Sequence, residues 1–173
     1  MRLLSRLLRW WRLRGAVFPD TLNTPEDLEA ARRLIELGYR HRLKVDGSRE
    51  FKDRIMETLK LIEEAGYGDL LHAYIRRIVE VEGYTQLREV EATLWMSKFS
   101  LTDVVDAASI IIQKVYQMKR FLEGKPYYGP KGEMWTTKKR FEFLEKLKEK
   151  AKEEWVRRRC KELLKEWEAP LVI

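Results

Sequence analysis

The chain has 173 residues, 45% of them apolar and 36% charged, with a formal charge of +7 at neutral pH. That length fits one domain with room for an appended arm, and the balance excludes both a disordered chain and a set of membrane spans. The single cysteine, Cys160, excludes an intramolecular disulfide and a multi-cysteine zinc site, which fits a reducing setting, intracellular or within a virion, and not secretion.

The charge is unevenly placed. Residues 1–14 carry five arginines and no acid, residues 15–118 sum to −4, residues 119–140 to +5 and residues 141–173 to +1. A polyanion would therefore meet two local pieces and not a generally basic surface. Asn23, Gln86, Gln113 and Gln117 are the only side-chain amides. Together with abundant Lys, Arg and Glu, this is a composition of the thermophile type.

In chain order, residues 1–15 read as a basic amphipathic helical arm. At 100° per residue Leu3, Leu4, Leu7, Leu8, Trp10 and Trp11 share a broad apolar face, a partner or membrane surface, while Arg2, Arg6, Arg9 and Arg12 fall opposite and Arg14 follows. Residues 16–124 read as a helical body. Thr24 and Pro25 start a first helix with Leu28, Ala31, Leu34 and Ile35 inward, and Ser48 starts a second with Phe51, Ile55, Leu59 and Ile62. Asp69 is expected to cap a third helix through Leu71, Tyr74, Ile75 and Ile78, and Thr85 to begin a fourth through Leu87, Val90 and Leu94. The strongest pattern is Leu101, Val104, Ala108, Ile111, Val115, Met118 and Leu122, at alternating spacings of three and four, the expected spine of the core, with Ser100 or Thr102 as its cap.

Residues 125–136 are dense in Gly, Pro and aromatics and read as a long basic loop. Residues 137–173 read as one long charged helix to about Glu168 and a short tail. Its apolar face shifts near Trp155, so it either bends there or touches two different surfaces. The expected fold class is thus all-α, a bundle of five to six helices with a basic N-terminal arm. This layout is similar in outline to the coat proteins of filamentous archaeal viruses, a likeness of arrangement that no motif carries.

No motif for catalysis is visible. His41 and His72 lie outside zinc-binding spacings, and neither a phosphate-binding loop nor a dinucleotide glycine pattern is present, so no metal, no cofactor and no enzyme activity are expected. What remains is charge. Arg2, Arg6, Arg9, Arg12, Arg14, Lys119, Arg120, Lys125, Lys131, Lys138, Lys139 and Arg140 are the candidate phosphate contacts, and Tyr127, Tyr128 and Trp135 the candidate stacking or wedging rings. The expected function is a non-enzymatic assembly protein that binds or packages nucleic acid, DNA or RNA, with self-association and a nucleocapsid or coat-like role as one form of it. The alternative is a peripheral membrane adaptor or scaffold whose arm lies in an anionic headgroup layer. The plainer account has the arm packed on its own domain and the loop aromatics sealing the end of the bundle, and a third reading is an enzyme whose site no motif marks, which a buried polar cluster in the bundle would support.

Overall fold

The computed structural model describes residues 13–168, so the arm's Arg2, Arg6, Arg9, Arg12, Leu3, Leu4, Leu7, Leu8, Trp10 and Trp11 lie outside the described residues. In chain order the elements are α1 (Pro25–Glu36), β1 (Lys44–Asp46), α2 (Arg49–Glu64), α3 (Gly68–Tyr74), β2 (Arg77–Val81), β3 (Gln86–Arg88), β4 (Thr93–Ser97), α4 (Val104–Leu122), α5 (Gly129–Lys150) and α6 (Glu154–Glu168). Short 3₁₀ turns at Glu89–Glu91 and Lys98–Leu101 flank β4.

The strands form one mixed sheet in the order β1-β2-β4-β3, with β1, β2 and β4 parallel and β3 antiparallel to β4. The chain is therefore not all-α but helix-rich α/β, and with the bundle goes the likeness of layout to filamentous viral coat proteins. The expected fourth helix does not exist. Its Leu87 and Leu94 are paired neighbours on β3 and β4, and its Val90 lies in the 3₁₀ turn between them. The expected third helix stops at Tyr74, and Ile75 and Ile78 continue in extended backbone. β4 misled the helical reading because it is buried on both faces, leaving no period-two alternation for a strand to show.

The passage from β2 to β3 is short. Residues 82–85 must cross the end of β4, because β3 pairs on its far side. They can do so since β4 ends at Ser97 and the chain turns away. Thr85 fastens the crossing: its hydroxyl accepts from the Ser97 amide at 3.0 Å and lies 2.9 Å from the Ser100 hydroxyl.

The caps of the first two helices follow the sequence. Thr24 and Asp27 form a reciprocal capping box, and the Ser48 hydroxyl accepts from the Phe51 amide. On α4 the cap is Asp103, accepting from the Val105 and Asp106 amides, and not Ser100 or Thr102. The expected spine is observed, with Leu101, Val104, Ala108, Ile111, Val115, Met118 and Leu122 all buried. The last helix is two helices. The chain turns extended at Ala151, and α6 folds back on α5 so that Trp167 reaches Phe141, ring centroids 5.5 Å apart. Each half buries its own apolar set, Phe143, Leu144 and Leu147 on one and Val156, Cys160 and Leu163 on the other.

The connector ahead of α1 is pinned by an aromatic and imidazole cluster. Phe18 stacks on Tyr39 at 5.3 Å and meets the edge of His41 at 4.4 Å, Arg76 lies over Phe18 and donates to the Pro19 carbonyl, and the Leu22 amide donates to the Val90 carbonyl. Burial, reinforced by Arg76 and His72, pushes the His41 imidazole down to about 4. The fold therefore holds His41 neutral while the unfolded chain protonates near pH 6.5. Stability is full above about pH 6.5 and falls as the pH drops toward 4, by on the order of 3 kcal/mol in all. Urea denaturation across that window should show this loss in the parent chain and a flattened profile in His41→Leu; an unchanged slope in the variant would assign the acid sensitivity to another group.

Candidate nucleic-acid interface

The basic, aromatic segment does not stand off from the body as a loop. Only residues 123–128 link α4 to α5, and α5 begins at Gly129 with Pro130 in its first turn. Gly132 fixes this connection in place. A Cβ on it would stand 2.5 Å from the Tyr127 carbonyl carbon, so the backbone of the connection lies directly on the helix.

A second stripe on α4 makes the seat for α5. Asp106, Ser109, Gln113, Tyr116 and Arg120 recur at spacings of three and four, beside the apolar stripe. Each meets α5 in reverse order. Arg140 donates to the Asp106 carboxylate and, at 2.8 Å, to the Ser109 hydroxyl. The Gln113 amide lies 3.4 Å from both the Thr136 and Thr137 hydroxyls. Tyr116 meets Trp135 edge to face at 5.6 Å, and the Arg120 guanidinium lies 4.5 Å from the Trp135 ring centre. Lys114, mostly buried beside this seam, is held below the usual lysine range by burial and by neighbouring Arg140. One turn before Asp106, at the cap of α4, the same logic recurs, with Asp103 accepting from Arg159 of α6 at 2.7 Å.

The seven cations of residues 119–140 therefore divide. Arg140, with its side chain 12% exposed, points inward to its ion pair. The other six reach the surface: Arg120 and Lys139 lie on the Trp135 ring, Lys131 and Lys138 share its helix face, and Lys119 and Lys125 stand around Glu123. Lys131, Trp135 and Lys138 fall at i, i+4 and i+7 on α5, and Lys139 lies 5.4 Å from the Trp135 ring centre and 2.9 Å from Glu142. Lys119 and Lys125 share Glu123, at 3.6 and 2.9 Å. Lys131 and Lys138 are exposed and have no acidic partner among the described residues. Tyr128, at the N-cap of α5, gives no side-chain bond and the first turn holds no acid, so the positive end of the helix dipole adds to the same surface. Arg14 is exposed in the turn before Ala16.

The rings are engaged to different degrees. Tyr127 packs edge to face on Phe121 at 5.5 Å and donates its hydroxyl to Glu89 at 3.0 Å, and burial with that acceptor pushes its hydroxyl up to about 12. Tyr128 lies against Tyr127 and stays 47% exposed. The sequence reading missed Tyr116, Glu123 and Glu89. The first two were legible as i, i+4 partners of Arg120 and Lys119, whereas Glu89 is brought in by the sheet.

Elsewhere the chemistry is sparse. Cys160 is buried and its thiol is pushed up to about 12, mainly by that burial. Among the described residues no group of three or more His, Cys, Asp or Glu is placed to hold a metal ion, and no helix is long and apolar enough to cross a membrane. No protein-family model matches the chain, and neither a curated protein nor a solved structure matches it significantly.

Two substitutions test this construction by urea denaturation. Asp106→Ala leaves the Arg140 guanidinium inside without its carboxylate and should cost about 3 kcal/mol. Gly132→Ala should gain up to about 1 kcal/mol from helix propensity alone, but the clash with Tyr127 reverses the sign to a loss of roughly 1–3 kcal/mol. A stabilised Gly132→Ala would mean the connection is free to move off the helix.

Proposed function

We propose that this chain is a non-enzymatic protein that binds nucleic acid through its phosphates. The contacts come from the six surface cations of residues 119–139 and from the arginines of residues 1–14. One observation carries the reading: a segment with seven cations keeps six at an outer face beside an acid-free helix N-terminus, and spends only one inside. Ammonium groups meeting phosphates release condensed counterions, which gives affinity without base recognition. Lys131 and Lys138 are the strongest contributors, because Lys119, Lys125 and Lys139 already share acids. Tyr128, half exposed beside Lys131, is the ring best placed to touch sugar or base.

Salt titration of binding to a fluorescent oligonucleotide tests it. Lys131→Gln with Lys138→Gln should weaken binding about tenfold or more and flatten the logarithmic salt dependence by about 2 units. Replacement of the five arginines of residues 1–14 by Gln should flatten it separately. Binding that is insensitive to salt, or untouched by both variants, would rule the proposal out. Capture by anionic vesicles without nucleic-acid binding would put the membrane-adaptor reading in its place.

A further inference from the structure

We propose that the surface around Trp135 is built for the paired phosphate rows of a double-stranded helix and not for a single strand. This rests on the nucleic-acid reading above and narrows its ligand. Two features point to it, the state of the rings and the placement of the cations.

Single-strand binding needs open aromatic faces on which splayed bases stack. Here the rings are already used. Trp135 has Arg120 at 4.5 Å, Lys139 at 5.4 Å and Tyr116 against its edge, and Tyr127 is held between Phe121, Tyr128 and Glu89. Among the described aromatic rings of this surface only Tyr128 keeps about half its area free.

Two of the cations, by contrast, are held in place, and two more share one helix face. Arg120 lies on the Trp135 ring and donates to the Pro126 carbonyl, Lys139 is fixed by two rings and Glu142, and Lys131 and Lys138 stand on one face of a packed helix. Seven residues of helix separate the last two by about 10 Å along the axis, and α4 lies alongside at roughly 8–10 Å. A patch of that size spans the two rims of one duplex groove, about 6 Å wide on the minor side of DNA and about 12 Å on the major side. Arg120 and Lys139, already held, lose little further freedom on meeting phosphates that a duplex fixes, while a flexible strand would have to be ordered to match them.

The test uses the full chain with a duplex of roughly 20 base pairs and each of its separated strands at the same salt. The duplex should bind about tenfold tighter or more, with the steeper salt dependence expected of its charge density. Tyr128→Ala should change duplex affinity less than about threefold, below the loss that removing a stacked base brings. Lys131→Gln with Lys138→Gln should lower duplex affinity more than single-strand affinity. Single strands binding as tightly as the duplex, or a loss of about tenfold or more in Tyr128→Ala, would overturn the duplex assignment while leaving nucleic-acid binding in place. Failure of all three oligonucleotides to bind would overturn both.

Discussion

Eleven of the nineteen residues of α4 are buried, and this one helix touches α1, the helices between the first two strands, β3 and both C-terminal helices. Burial on that scale fixes where polar chemistry can go. The apolar stripe from Val104 to Leu122 takes up the sides facing the sheet and α2, and a narrow line from Asp106 through Gln113 to Arg120 carries the polar side chains that meet α5. α5 docks on that line. The position of the basic surface is thus set by the core: α5 is registered against α4 by Arg140 at one end and Trp135 at the other, and Lys131, Lys138 and Lys139 follow from that register.

The same arrangement separates two uses of positive charge. Arg140 and Arg159 sit against Asp106 and Asp103 on neighbouring turns of one helix start, where their planar groups hold α5 and α6 to α4. Lys114 aside, the lysines of this region are kept outside. A guanidinium suits the inner task because it satisfies several acceptors in fixed directions, and an ammonium on a long stem suits the outer one because it is compact and strongly hydrated. The arginine at Arg120 is the exception that bridges them, lying on Trp135 with its charge at the surface.

How much of this the sequence shows differs from element to element. The spine of α4, the capping box at Thr24 and the start of α2 at Ser48 are legible because each is a local pattern read within one turn or one stripe. The sheet is not. β1 and β3 are too short to show alternation, β4 has two buried faces, and Leu87, Val90 and Leu94 imitate helical spacing by coincidence. The available hint was the density of β-branched residues from Ile75 to Val81, which favours extended backbone over the helix drawn through it. For the candidate interface, sequence supplied the residues but not their division. That Arg140 turns inward, and that Trp135 is already partnered, depends on α5 beginning inside the segment that reads as a loop.

The two edges of the sheet bear on assembly. β1 and β3 are three residues each, and Lys44, Asp46, Gln86 and Arg88 put polar or charged side chains along them. Open strand edges invite another chain to add on, and brevity with charge is how that is discouraged. Copies of this protein brought close together, by whatever concentrates them, are thereby steered away from joining sheet to sheet. Crowding on a ligand need not turn into irreversible cross-strand aggregation.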